Sequence, residues 1–192
     1  GRRMQSSAKK LCLPVPPLEM FVKACYEVVK RNIDFVPPYE SGASLYLRPV
    51  LIGTKVGIGV KASHEAMFFV FCSPVGPYFK GGMKPIKVII DRVQDRAAPR
   101  GTGDIKAGGN YASSIFSGEK AHTMGYSNVM YLDATEHKYI EECGAANFFG
   151  IKNNTYVTPK STSILPSITN KSLMQLAEDM GLTVERRPIP VE

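Results

Sequence analysis

Between Gly101 and Tyr111 the chain reads GTGDIKAGGNY, with four glycines in the first nine residues. Glycine loses more conformational entropy on folding than any other residue and has no side chain to bury, so this run builds neither a helix interior nor a core. What it offers is clearance. Any fold this chain adopts must set the loop against something that the backbone can approach closely, either flat or charged. Lys106 stands in its middle as the one strongly reactive group.

An amine with a reference pKa of about 10.4 is almost wholly protonated near neutral pH, so a nucleophilic lysine must be desolvated or held near other positive charge. An aldehyde cofactor held as an imine would use such a lysine. The plain alternative is a solvated lysine on a glycine-rich connection. A phosphate-cradling nucleotide loop is disfavoured, because the spacings GxxxxGKS, GxxxxGKT and GxGxxG are all absent.

At 192 residues and 44% hydrophobic, the chain is long enough to bury a core as one large or two small domains. No stretch approaches the roughly 18 apolar residues that span a membrane, and no charged-then-apolar leader opens the sequence, so the expected location is the cytoplasm. Cys12, Cys25, Cys72 and Cys143 lack both zinc-site spacing and scaffold density, and are expected as reduced, mostly buried thiols. The net charge of +7 gathers most densely in the terminal GRRMQSSAKK without interleaved aromatics. That favours attraction of small anions over nucleic acid. His64, His122 and His137 are scattered, with no metal spacing and no GxSxG elbow, which argues against metalloenzymes and serine hydrolases.

Along the chain, Leu18, Phe21, Val22, Cys25, Tyr26 and Val29 form the apolar stripe of an amphipathic helix that gives out near Asn32. Ser44 to Gly53 reads as a strand with Tyr46 and Arg48 on one face, a pair able to bind a carboxylate, although Arg48 at a solvated edge is the simpler expectation. Ala66 to Cys72 is an unbroken apolar run, expected to be a strand covered on both faces. The proline- and glycine-rich stretch SPVGPYFKGGMKP then places a domain boundary near Gly82, giving domains 1–82 and 83–192. Strands are expected at Ile86–Ile90 and Asn128–Asp133, with a helix over Asn110–His122 placing Lys106 just before its N-terminus. Asn153-Asn154 turns a hairpin into TYVTP, because Asn tolerates left-handed backbone. Of the adjacent Glu141 and Glu142, strand alternation turns one inward and one outward, and the inward one needs a cationic or protonated partner. A last helix follows SILPSIT, with Ser167 or Thr169 near its N-cap and Gly181 as its stop. Its first-turn amides form a second possible anion site.

Taken together, LYLRPVLIG, GTGDIKAGGNYA, EECGAANFF and SILPSIT resemble, in order and separation, the branched-chain amino-acid aminotransferases among the fold-type-IV pyridoxal-phosphate enzymes. The resemblance spans nearly the whole chain. It implies a two-domain α+β (α/β) fold, both domains incomplete here, and transamination of leucine, isoleucine and valine with 2-oxoglutarate through lysine-bound pyridoxal 5'-phosphate. Other enzymes of that fold type, D-amino-acid aminotransferases and aminodeoxychorismate lyases, are the alternatives, as is a non-catalytic binding module. Residue by residue, the resemblance implies that Lys106 carries the cofactor, Tyr111 contacts its ring oxygen and Glu142 its pyridine nitrogen. Ile168 and Thr169 would supply phosphate-binding amides, and Ala145 would lie near substrate and phosphate. Tyr46 and Arg48 would sit near the substrate carboxylate. Ile58 and Val60 would line the side-chain pocket of the partner in a homodimer. Two elements of the family pattern are absent: an earlier arginine that binds the phosphate, and a later Ser-Gly-Thr element. Arg100 stands where the resemblance leads one to expect glycine.

Overall fold

The computed structural model describes residues 1–77, 82 and 84–192. Residues 78–81 and 83, which fall within the expected linker, lie outside the described residues. The chain forms two compact units, Gly1–Lys84 and Pro85–Glu192.

In the first unit, helices α1 (Arg2–Lys10) and α2 (Leu18–Arg31) precede an antiparallel pair, β1 (Ser44–Gly53) and β2 (Ala66–Val75), in register from Ser44 opposite Val75 to Gly53 opposite Ala66. The stripe on α2 is narrower than its sequence suggests. Phe21 and Cys25 turn toward the sheet, with the Phe21 and Phe68 rings 5.9 Å apart, whereas Val22 and Tyr26 are exposed. The strand β2 is not covered on both faces. It alternates, leaving Met67, Phe69 and Phe71 exposed, because α2 packs on one side of a two-stranded sheet. The basic opening segment, read as a charge cluster, folds as α1 with Ser7 and Ala8 buried.

The second unit holds two sheets. Strands β3 (Val88–Asp91), β4 (Asn128–Leu132), β5 (Ile140–Cys143) and β6 (Ala146–Asn147) form one, in that order. β3 and β4 are parallel, and the chain crosses between them through α3 (Gly108–Ala112) and α4 (Ile115–Thr123). The expected single helix over Asn110–His122 is thus two, interrupted at Ser113-Ser114. There the Ser113 and Ser114 hydroxyls bond back to the Asn110 and Tyr111 carbonyls, competing with the helix ladder. Strands β7 (Gly150–Lys152), β8 (Thr155–Thr158) and β9 (Thr183–Arg186) form the second sheet. Asn153 (φ 49°) and Asn154 (φ 57°) make the β7–β8 turn, as the Asn pair anticipated. Helix α5 (Ile168–Asp179) carries the chain from β8 to its parallel neighbour β9, with Ser167 as N-cap and Gly181 just beyond its end.

A core of Ala121, Val129 and Tyr131, joined by Ile89 and Tyr126, locks α4 onto the first sheet. The mixed helices and sheets are those of an α+β fold. All four cysteines are free, but none is buried: Cys12 is exposed and the others are intermediate, which corrects the expectation of buried thiols. Among the described residues, no helix is long and apolar enough to cross a membrane.

Candidate active site

The glycine-rich loop is pinned by a side chain that its own sequence supplies. Asn110, buried at the start of α3, donates to the carbonyls of Thr102 (2.7 Å) and Ile105 (2.9 Å), and accepts from Thr102 Oγ1 at 2.8 Å. One amide thus satisfies three loop groups and fixes the backbone on either side of Asp104. A Cβ at Gly103 would collide with the Ser163 carbonyl, so this glycine exists to let the 160–165 segment lie against the loop. Gly108 and Gly109 face open space, which is the clearance the sequence suggested.

Lys106 is exposed. Its Nζ donates to the Tyr111 hydroxyl and lies 4.7 Å from the centre of that ring, because α3 begins between the two residues and brings them onto one side. Tyr111 in turn lines a cleft together with Arg96, Asn110, Glu142, Ala145 and Leu165.

Glu142 reaches that cleft from β5, where it faces Asn147 across the β5–β6 hairpin. Asn147 Nδ2 donates to Glu142 Oε1 at 2.6 Å, the Leu165 amide donates to the same oxygen at 3.3 Å, and Arg96 Nε lies 3.0 Å from Oε2. Burial pushes the Glu142 carboxyl above its ordinary value, opposed by Arg96, Leu165 and Asn147. The expected outward-facing neighbour does not exist: Glu141 and Glu142 are each 3% exposed. Strand alternation holds, but β5 is covered on both sides, Glu141 by the segment carrying Ser161 and Glu142 by Arg96 and Asn147. Arg96 is the cation that an inward carboxylate demands. It lies ten residues before Lys106 in RVQDRAAPR, a segment without periodicity, and only its charge pointed to it.

The 160–165 segment leads into α5. Leu165 lines the cleft, and Ile168 and Thr169 form the first turn of the helix, where backbone N–H groups have no acceptor within the helix. The Ser167 hydroxyl takes the Asn170 amide, and Asn170 Nδ2 reaches Asn147 Oδ1 (3.3 Å) and Thr158 Oγ1 (3.0 Å). A chain of side-chain hydrogen bonds therefore runs from the α5 N-terminus through Asn170 and Asn147 to Glu142. Sequence reading missed Asn110, Asn147 and Asn170, whose amides act through side-chain hydrogen bonds that no periodicity records.

The structure thus gathers Tyr111, Glu142 and Ala145 around one cleft and ties Lys106 to it through Tyr111. Ile168 and Thr169 follow Leu165 in the same unit, at the start of α5, whereas Tyr46, Arg48, Ile58 and Val60 belong to the first unit. Tyr46 and Arg48 meet on one face of β1, with Arg48 Nη2 donating to the Tyr46 hydroxyl at 3.1 Å. Ile58 and Val60 stand fully exposed between β1 and β2.

Residues 2–192 match the family described as Amino-transferase class IV. The chain belongs to this family. As a class IV aminotransferase chain it is 52% identical to the branched-chain-amino-acid aminotransferase of Helicobacter pylori over 195 residues, covering 100% of the chain and 57% of that relative. It is 54% identical to the Haemophilus influenzae protein of the same name over 185 residues, 93% of the chain and 54% of the relative. Among solved structures, the Escherichia coli branched-chain amino acid aminotransferase superposes with a TM-score of 0.86 at 30% identity, over 100% of this chain and 62% of that one. The T.th. branched-chain amino acid aminotransferase, solved with pyridoxamine 5'-phosphate, gives 0.82 at 26% identity, over 97% of this chain and 60% of that one. The resemblance read from the motifs is borne out by these names. The chain spans somewhat more than half the length of the curated relatives it matches.

Proposed function

We propose that residues 1–192 are the cofactor-carrying portion of an enzyme that moves the amino group of leucine, isoleucine or valine to 2-oxoglutarate, using pyridoxal 5'-phosphate bound through Lys106. The observation that carries this reading is the cleft lined by Tyr111, Glu142 and Ala145 in the second unit. There a phenol in contact with a lysine amine and a buried carboxylate converge, with a helix N-terminus following Leu165. That donor set fits an aldehyde-bearing, phosphorylated pyridine.

When bound, pyridoxal phosphate supplies an electron sink for the bond broken at the substrate Cα. Glu142 would hold a proton on the ring nitrogen, since Arg96, Asn147 and the Leu165 amide oppose the effect of burial and favour its ionised form, which attracts a facing cation. Tyr111 would bond the ring oxygen and direct the Lys106 amine. Lys106, once released by the incoming amine, would be the base that takes the substrate Cα proton and the acid that returns it to the cofactor's former aldehyde carbon. The Ile168 and Thr169 amides would receive the phosphate at the positive end of α5, with Ala145 beside it. Tyr46 and Arg48 would bind the substrate carboxylate. Ile58 and Val60 of one protomer would line the aliphatic pocket of the other in a cytoplasmic homodimer.

The test is borohydride reduction of the cofactor-loaded protein followed by peptide mapping. The cofactor mass is expected on the peptide containing Lys106 and nowhere in Lys106→Ala; an unlabelled Lys106 refutes the assignment. Assays of L-leucine, D-alanine and aminodeoxychorismate side by side should show turnover of the first, and preference for either of the others overturns the branched-chain reading.

A further inference from the structure

Glu141 is as deeply buried as Glu142, yet the proposed chemistry gives it no task. Its surroundings do. Ser161 Oγ donates to Glu141 Oε1 and accepts from the Ser163 amide at 3.0 Å, so Glu141 is placed as an acceptor, a position an ionised carboxylate can fill. The Ser163 carbonyl accepts from Arg96 Nη2, and Arg96 also exerts its charge on Glu141. The guanidinium therefore lies in the field of two buried acids.

Toward Glu142 that guanidinium is near but poorly aimed. Arg96 Nε stands 3.0 Å from Oε2, with side-chain exposures of 6% and 4%, yet its N–H makes no hydrogen bond. The pairing is coulombic more than directional, which raises a difficulty. One arginine against one glutamate carries no net charge, so the pair by itself stabilises a ring cation less than an uncompensated carboxylate would.

We propose that Glu141 supplies the second negative charge of a buried Glu141, Arg96 and Glu142 trio, so that Arg96 fixes Glu142 without neutralising it and the cleft keeps a net negative charge for a cationic ring. Glu141 is on this account not a catalytic residue: it never touches the ring and acts through the field of its charge. Burial raises its carboxyl above the ordinary value, opposed by Ser161 and Arg96. The clearance at Gly103, which lets Ser163 close on the loop, is what seats the trio.

This rests on the pyridoxal-phosphate reading, and the two are tested together but separately. The protein, expressed at the length of its curated relatives, is loaded with pyridoxamine 5'-phosphate labelled with 15N in the ring, and the ring resonance is followed against pH. Glu141→Gln keeps an acceptor for Ser161 but removes the charge, and is expected to lower the midpoint of ring deprotonation by about one pH unit. Ser161→Ala breaks the link but keeps the charge, and is expected to titrate like the unaltered protein. Should Glu141→Gln not fold, the same comparison is made between Arg96→Gln and the double variant Arg96→Gln/Glu141→Gln, where the double variant must have the lower midpoint. An unmoved midpoint on loss of the Glu141 charge overturns the trio, as does a Ser161→Ala shift of equal size. Failure of the unaltered protein to bind the probe overturns the cofactor reading itself.

Discussion

Arg100 is the residue whose sequence and conformation conflict most visibly. Its φ is +60°, the left-handed region that costs a side-chain-bearing residue roughly 1–2 kcal/mol. The structure thus explains why the family resemblance leads to glycine there: the chain must turn sharply to enter the glycine-rich loop, and the Arg100 amide meets Thr162 Oγ1 at 3.3 Å in doing so. The side chain is exposed, so nothing is lost in packing by removing it. Arg100→Gly is expected to stabilise the protein by about 1 kcal/mol after the entropy cost of glycine, seen as a thermal midpoint raised by about 2–4 °C. A lower midpoint would show that the arginine makes a compensating contact. Glu142 and Arg96 teach the complementary lesson. The need for a cation near an inward carboxylate was legible from burial energetics alone, but which cation answers it was settled only by the path of the 91–97 segment.

The turn from β4 into β5 is organised by one carboxylate. Asp133 accepts from the backbone amides of Thr135, Glu136, Lys138 and Tyr139, which spares the turn four unpaired donors. Burial alone would raise its carboxyl, but the four amides outweigh that and hold it below its ordinary value. A carboxyl whose folded value is depressed adds stability above its unfolded value of about 3.9, and loses it as pH falls through the lower, folded value. Asp133→Asn, which cannot ionise, is therefore expected to lose stability at neutral pH and to show a shallower decline between about pH 5 and 2 in urea unfolding. Parallel acid limbs for the two proteins would remove Asp133 from the account. At this scale the sequence was most readable where the signal was local, as in the Asn153-Asn154 hairpin and the capped helix α5. It misled where burial depends on neighbours: AMFFVFC is apolar on both faces, yet only one face of β2 is covered.

For the molecule as a whole, the exposed face of β2 and the cleft of the second unit lead to the same expectation. Met67, Phe69 and Phe71, with Ile52 on β1, present a contiguous apolar row to solvent. Rows of that kind drive association. Residues 1–192 in isolation are expected to self-associate, with a sedimentation coefficient that rises with protein concentration. They are also expected to bind pyridoxal phosphate at least about a hundredfold more weakly than a chain extended at both ends to the length of its curated relatives. The reason is that charge-assisted hydrogen bonds to a phosphate contribute about 1.5–3 kcal/mol each, and the resemblance assigns phosphate donors to segments beyond this stretch. Equal affinity and a monomeric fragment would contradict both expectations.

The sequence by itself determined the elements whose causes are local: the span of α2, the β7–β8 turn, the Gly181 stop after α5, and the glycine-rich loop with its single lysine. It also determined the family, because those motifs recur in a fixed order. Only the tertiary structure decided that both Glu141 and Glu142 are buried, that Arg96 answers them, and that Gly103 is there to admit Ser163. These are contacts between segments tens of residues apart, set by which strands lie side by side, and no periodicity within a single segment records them.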